Sequence, residues 1–145
     1  MTCAHTSGYC IFVDIEGAFN NLWWPSLFEE LRKMRCPRDL YRCFQDYFRK
    51  RRVTYNDGKV NITRSLTKGC PQGSVCGPIL WDISFEPVLR ALLECEHISS
   101  HAAYADDIAL IISAESRREL EFKGTEILRL LYQECNKIKL VISTN

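Results

Sequence analysis

The stretch Ala102-Ala103-Tyr104-Ala105-Asp106-Asp107-Ile108-Ala109-Leu110-Ile111-Ile112 most restricts what this chain can become, because it sets two adjacent acids between two apolar, strand-like runs. Apolar runs seek burial and carboxylates keep to water, so the natural reading is a hairpin with dry flanks and the acids at its tip. A second run, Tyr9-Cys10-Ile11-Phe12-Val13, is rich in aromatic and β-branched residues and ends abruptly in Asp14, ninety-two residues before Asp106. Three strand-end acids can converge, but two carboxylates about 4 Å apart repel by about 4 kcal/mol at an effective dielectric of about 20. A hard divalent cation relieves that repulsion. Mg²⁺ takes carboxylate oxygens together with substrate phosphates, and two such ions about 3.5 to 4 Å apart stabilise both the attacking and the leaving oxygen of an in-line phosphoryl displacement. Taken alone, the same residues also suit a polar turn at Asp106-Asp107 and a strand-end cap at Asp14.

Between these anchors the apolar period changes repeatedly. From Pro25 the spacing of Leu27, Phe28, Leu31 and Met34 predicts a helix with proline in its first turn and Cys36-Pro37 as its stop. A second helix is predicted from Arg38 to about Arg49, with Leu40, Tyr41, Phe44, Tyr47 and Phe48 on its apolar side. Val53-Thr54-Tyr55, Asn56-Asp57-Gly58 and Val60-Asn61-Ile62 read as a hairpin, Asp-Gly supplying the positive-φ residues of a tight turn. Lys68 to Gly77 holds three glycines and one proline, too many for an element interior, and so forms a shaped loop leading into a helix at Pro78 with a kink or break at Pro87. Ser113 to Asn136 is helical by the period of Leu120, Ile127, Leu128 and Leu131 despite Gly124, and Ile138 to Ser143 reads as a final strand. The order β αα ββ α ββ α β suits an α+β fold, a small antiparallel sheet packed on helices.

At 145 residues the chain is one domain's worth, and one core is expected. Hydrophobic residues at 46% and charged residues at 26% exclude the disordered and fibrous classes. The net charge of +1 hides an asymmetry, for residues 32 to 52 hold nine Lys/Arg and two Asp, net +7, which leaves −6 for everything else. Such a segment is either a solvated helix face or a local seat for an anionic partner. Eight cysteines include no CxxC pair, so no zinc site is expected. The N-terminus lacks the pattern of a signal peptide, and the longest charge-free apolar run, near Ile108 to Ala114, is far short of the roughly 20 residues that cross a bilayer. The expectation is an intracellular chain of the cytoplasm and nucleus with reduced thiols, neither secreted nor in a membrane.

Three segments occur in a telling order: Phe12-Val13-Asp14-Ile15-Glu16-Gly17-Ala18-Phe19-Asn20, then Gly69-Cys70-Pro71-Gln72-Gly73-Ser74-Val75-Cys76-Gly77-Pro78, then Tyr104-Ala105-Asp106-Asp107. They resemble the successive A, B and C motifs of reverse transcriptases. The likeness is closest to those of non-LTR retrotransposons, in particular the type-one elements of insects that insert into ribosomal RNA genes, where the domain is part of a retrovirus-related Pol polyprotein. It covers nearly the whole chain from Tyr9 onward.

This resemblance implies an RNA-directed DNA polymerase with a palm fold. It implies that Asp14 and Asp106 bind two Mg²⁺ ions (Mn²⁺ being a possible substitute), that Asp107 supports them, and that main chain near Ile15 helps hold the triphosphate. It implies that Phe19 fills the space a ribose 2′-hydroxyl would need, so that deoxynucleoside triphosphates are preferred; a phenylalanine met alone is more often a core residue. Gln72 and Gly73 match the loop lying against the incoming nucleotide, where glycine lets backbone approach a ligand and glutamine offers both a donor and an acceptor. An RNA template and a DNA primer are the implied partners. The run Arg49-Lys50-Arg51-Arg52 is a candidate for salt-sensitive contact with their backbone, or else a helix C-terminus favoured by the dipole.

Some features depart from the family's pattern. Many relatives carry Asp where Asn20 stands and Asn where Asp82 stands, neither at a metal-site position. Finger residues that grip the triphosphate are expected before Thr2, and the primer grip and thumb after Asn145, with Lys137 and Lys139 imperfect matches to the lysine of the fourth motif. Residues 1–145 are therefore expected to be a palm-centred reverse transcriptase domain with parts of the fingers and no thumb, weakly active or inactive when isolated. The remainder of the polyprotein (fingers, thumb and an endonuclease that nicks target DNA) would be its partner. Two alternatives stand beside it: an RNA-directed RNA polymerase palm, against which the bulk of Phe19 speaks, and a catalytically incompetent module that at most binds nucleic acid. Convergence on shared ions requires Asp14 to lie within about 10 Å of Asp106.

Overall fold

Strand β1 (Ser7–Asp14) runs antiparallel to β5 (Asp107–Ala114) in a register that extends from Ser7↔Ala114 to Asp14↔Asp107. The computed structural model describes residues 7–143 of the chain, so Cys3 lies outside the described residues. On its other side β5 pairs with β4 (Ser100–Tyr104), giving the order β1-β5-β4. Side-chain alternation separates the two faces: Ile108, Leu110, Ile112 and Ala114 are buried, whereas Asp107 and Ile111 are exposed. Helix α5 (Arg117–Lys137) packs on β5, with Gly124 passing over Ile11 and Ile112 and with Ile127, Leu131 and Cys135 buried. Burial, reinforced by the neighbouring Glu134 carboxylate, pushes the Cys135 thiol up to about 12.

Length alone led to one core, but the chain divides into two compact units. The first comprises the residues up to Ala18 together with those from Phe85 onward, and carries the three-stranded sheet and α5. The second, Phe19–Ser84, is an excursion of the chain long enough to build its own buried cluster. A short helix not expected from the sequence, α1 (Ala18–Asn21), stands at its start. Helices α2 (Trp24–Lys33) and α3 (Arg38–Phe48) meet through aromatic rings, with centroids 5.4 Å apart for Phe28–Tyr41, 6.0 Å for Phe28–Phe48 and 5.1 Å for Trp24–Phe48. The apolar side expected on α3 is only partly covered, for Phe48 is buried while Leu40 and Tyr47 are exposed. Strands β2 (Arg52–Asn56) and β3 (Asn61–Ser65) form a two-stranded ribbon exposed along its whole length. Helix α4 (Gly77–Leu93) begins in the second unit and ends in the first.

Several boundaries differ from the sequence reading. The β2–β3 connection is four residues long rather than tight, and only Gly58 has positive φ, at 84°. Asp57 closes it by accepting the Lys59 and Val60 N–H groups, at 3.0 and 2.7 Å, which holds its carboxyl below the usual range. Helix α4 does not break at Pro87 but is continuous across it. Ser113 and Ala114 belong to β5 rather than to the following helix, because they pair with Gly8 and Ser7. The helix starts instead after Ser116, whose hydroxyl accepts the Glu119 N–H at 3.2 Å while Glu119 accepts the Glu115 N–H at 2.9 Å. This is a capping box shifted by one position, a signal present in Ser116-Arg117-Arg118-Glu119 that outranks the apolar period. Ile138 to Ser143 is not a full strand: a turn with Lys139 at φ 60° uses up its start, and only Ile142 bridges to Ile15.

Among the described residues no helix is long and apolar enough to cross a membrane. Replacing the cap, Ser116→Ala, is expected to remove about 1 kcal/mol of stability. Urea unfolding checks this: the midpoint should fall with an unchanged slope, and an unmoved midpoint would show that the cap contributes nothing.

Candidate active site

The β1–β5 ladder decides where the carboxylates go. Asp14 and Asp107 are direct register partners, and Tyr104 opposes Asp107 from β4, so a single row Asp14, Asp107, Tyr104 crosses the sheet. Directly opposed residues project to one face with Cβ atoms about 4.5–5.5 Å apart, which sets the two carboxylates side by side on the exposed face. Asp106 lies one position earlier, in a two-residue turn whose Ala105 has φ 53°. The Asp106 carbonyl accepts the Ile15 N–H at 3.2 Å, tying this turn to the residue after Asp14. All three acids thus gather at one end of the sheet. The sequence reading had both Asp106 and Asp107 at the hairpin tip; Asp107 is instead the first residue of β5, because pairing already begins there.

The expectation set main chain near Ile15 at the triphosphate, and the Ile15 amide itself is engaged with the turn that carries Asp106. The Ile15 side chain is fully buried and its N–H is committed to Asp106, while the Glu16 N–H goes to the Val141 carbonyl at 2.9 Å. The Ile15 amide is therefore not open to a phosphate, and what it does is seat the turn that carries Asp106. Beside the acids runs an uncovered apolar row, in which Phe12, 79% exposed, opposes Ala109 and Ala109 opposes Ala102. Phe12, Asp14, Ala102, Tyr104 and Asp107 line one depression of about 860 Å³.

Among the described residues no three His, Cys, Asp or Glu side chains form a ready-made metal cage. The local donor set is nevertheless oxygen-only: two carboxylates side by side and a third in the adjoining turn. Mg²⁺ is commonly held by one or two carboxylates, with substrate phosphates and water completing its shell. The set fits a cation that arrives with its substrate better than one held permanently by protein.

The second unit holds the other expected residues together. Phe19, Gln72, Gly73, Ser74 and Gly77 line a pocket of about 440 Å³, with the Phe19 ring 6.0 Å from that of Trp81. The loop is fixed from behind: Gly69 N–H donates to the Leu22 carbonyl at 2.7 Å, Cys70 N–H to the Phe19 carbonyl at 2.8 Å, and Trp24 Nε1 to the Gly69 carbonyl at 2.8 Å. The sequence reading assigned nothing to Ser74, whose buried Oγ has no hydrogen-bond partner among the described residues, although it stands inside the motif that supplied Gln72 and Gly73.

The basic run is spread over different environments. Arg49 is the C-cap of α3, its N–H donating to the Asp46 carbonyl, as the helix C-terminus alternative expected, whereas Lys50 to Arg52 lie beyond the helix. Arg49 sits 3.9 Å from Asp46, Lys50 adopts φ 50°, Arg51 lies over the Tyr47 ring at 4.7 Å from its centroid, and Arg52 opens β2.

Residues 2–145 match the family described as reverse transcriptase (RNA-dependent DNA polymerase). The chain is 35% identical over 120 residues to a putative 115 kDa protein in type-1 retrotransposable element R1DM of Drosophila melanogaster, covering 83% of the chain and 11% of that relative. It is 35% identical over 132 residues to a retrovirus-related Pol polyprotein from type-1 retrotransposable element R1 of Bradysia coprophila, covering 90% and 13%. It is 31% identical over 140 residues to a probable RNA-directed DNA polymerase from transposon BS of Drosophila melanogaster, covering 89% and 15%. The chain thus spans only 11 to 15% of the length of these relatives.

Gly69 offers a direct probe of the second unit's loop. It has φ 87°, and a Cβ there would fall 2.8 Å from the Asn20 carbonyl oxygen. Gly69→Ala is expected to cost at least about 2 kcal/mol through left-handed strain and collision with backbone, whereas Gly8→Ala, which meets nothing within 4 Å, should be nearly neutral. Thermal melts of the two variants check this, and equal melting temperatures would refute it.

Proposed function

Because the chain belongs to the reverse transcriptase (RNA-dependent DNA polymerase) family, we propose that it is the palm-centred part of an RNA-directed DNA polymerase encoded in a non-LTR retrotransposon polyprotein. The observation that carries this reading is the register pairing of Asp14 with Asp107, with Asp106 tied into the adjoining turn. Carboxylates from distant parts of the chain share one solvent-facing row, where only a cationic ligand makes their proximity favourable.

In this function the chain extends the 3′ end of a DNA primer with deoxynucleoside triphosphates, directed by an RNA template, and the remainder of the polyprotein supplies fingers, thumb and endonuclease. Asp14 and Asp106 would hold two Mg²⁺ ions, or Mn²⁺ in their place, with Asp107 beside them. When bound, such ions stabilise the attacking and leaving oxygens of an in-line displacement. The chain's own residues orient and select. The β1–β5 ladder holds the carboxylates at fixed spacing, so no reorganisation is needed as charge develops. Phe19 presents an aromatic wall in the 440 Å³ pocket, where the sugar would be sensed and a 2′-hydroxyl would collide with the ring. Gln72 supplies a donor and an acceptor at the same pocket, and Gly73, with φ 76° and nothing within 4 Å of a Cβ position, leaves its backbone open to a ligand.

Primer extension by the polyprotein tests the carboxylates. Asp14→Asn and Asp106→Asn preserve shape and remove charge, and each is expected to lower kcat by at least about 10²-fold in Mg²⁺; extension equal to that of the parent would dismiss the metal-holding role. Phe19→Val tests sugar selection separately. The ratio of kcat/KM for deoxynucleotides over ribonucleotides should fall about tenfold or more as space opens, and an unchanged ratio would remove Phe19 from that part.

A further inference from the structure

The run that closes α3 leads straight to a hydroxyl. In Arg49-Lys50-Arg51-Arg52-Val53-Thr54-Tyr55 a threonine follows arginines two, three and five positions before it and precedes an aromatic residue. Guanidinium groups pair bidentately with carboxylates, so arginines at fixed distances before a hydroxyl are a pattern that an acidic protein cleft can read and use to position that hydroxyl. The neighbouring hydroxyls lack it. Thr63 follows Val60, Asn61 and Ile62, Ser65 has Arg64 directly before it, and Thr67 has Arg64 three positions before it but no second cation within five. Ser116 follows Glu115, and its hydroxyl is committed to the cap of α5.

The structure presents this threonine in a form that such a cleft accepts. Strand β2 is extended and exposed at every residue, and among the described residues β3 alone pairs with it. A two-stranded ribbon is marginally stable, so local opening releases β2 as an extended segment whose alternate side chains lie along one line. Thr54 Oγ1 lies 3.0 Å from Thr63 Oγ1 on the polar face, a contact between neutral hydroxyls, while Val53 and Tyr55 stand on the other face. Arg51 must leave the Tyr47 ring, at a cost of about 0.5–1 kcal/mol, which is less than the roughly 1.5–3 kcal/mol of one hydrogen bond to a charged partner.

The charge of the ribbon gives the modification its consequence. Residues 52 to 65 hold Arg52, Lys59 and Arg64 against Asp57, net +2. A phosphate on Thr54 adds about −1.5 to −2, and Arg52, two residues earlier on the same face, stands where it can pair with it.

We infer that Thr54 is a phosphorylation site for a serine/threonine kinase that selects arginines ahead of its acceptor, and that phosphate there turns the β2–β3 ribbon from cationic to nearly neutral. In the transfer Thr54 Oγ1 attacks the γ-phosphorus of ATP, the hydroxyl proton passes to a carboxylate of the kinase, the bond to the bridging oxygen breaks and ADP leaves. Nothing in this site depends on the polymerase reading.

The full chain, incubated with ATP, Mg²⁺ and the catalytic subunit of a cyclic-AMP-dependent kinase, tests this by intact mass and fragment-ion localisation. A single phosphate on Thr54 is expected. Thr54→Val, which keeps a β-branched strand residue, should abolish incorporation, and Thr67→Ala should leave it unchanged. Arg51→Gln with Arg52→Gln should slow it about tenfold or more, as two charge-assisted contacts are lost. Circular dichroism verifies that each variant is folded. In the phosphorylated chain, phosphorus NMR should find the second ionisation of the phosphate below its usual value of about 6, because a guanidinium favours the dianion, and Arg52→Gln, driven to full phosphorylation, should raise it again. The proposal is overturned by a chain left unmodified, by phosphate on Thr63, Ser65 or Thr67 in place of Thr54, or by a double variant modified at the parental rate. A phosphate titration that Arg52→Gln does not move would remove Arg52 as its partner.

Discussion

The antiparallel pairing of β1 with β5 is the constraint from which the candidate site follows. It places Asp14 opposite Asp107 as a consequence of register, and register is decided on the other face of the same strands, where Val13, Ile108, Leu110 and Ile112 are buried. A slip of one residue would carry Asp14 into the interior and Val13 into water. Burying these four aliphatic side chains, at about 1.5–3 kcal/mol each, is together worth about 6–12 kcal/mol, while two carboxylates about 4 Å apart at a protein surface repel by about 4 kcal/mol. The ladder wins, so like charges can be held together at a site whose stability is set elsewhere. This is how a fold keeps acids adjacent before any cation reaches them.

The expected site residues are divided between two units. The carboxylates and Ile15 belong to the first, while Phe19, Gln72, Gly73 and the basic run belong to the second. Phe19 follows Asp14 by only five positions, yet the unit boundary falls just before it. Within each unit the local geometry is secured by main-chain hydrogen bonds, Ile15 to Asp106 in one and Cys70 to Phe19 in the other. Side chains that would touch a nucleotide are thus carried on backbone already fixed by neighbours, as precise positioning requires.

Much of this was legible in the residues because the signals were strong and local. Asp14 at the end of an apolar strand, the paired acids between dry flanks, and the glycine-rich segment ahead of α4 each announced their place, and the structure gathers the acids as that pattern implied. What was misplaced involved competition between signals. The apolar period of α5 ran back into Ser113, but ladder pairing claimed that residue and Ser116 supplied the true cap. Ile138 to Ser143 had strand composition, yet the chain spends its first residues turning off the helix. The commitment of the Ile15 amide could not be seen at all, since its partner Asp106 comes to it only through strand pairing.

Ala105 shows how a single methyl group can separate two properties that usually travel together. At φ 53° it sits where a side chain costs roughly 1–2 kcal/mol, a penalty that glycine would lift. Glycine would also widen the conformational range of the unfolded chain, giving back about 0.4–1 kcal/mol of that gain. Exchange at this position therefore changes overall stability little, while it changes strongly how many shapes the link between Tyr104 and Asp106 can visit. Alanine confines that link to few of them, so the chain accepts a small energetic debt in return for acids that stay where the strands put them.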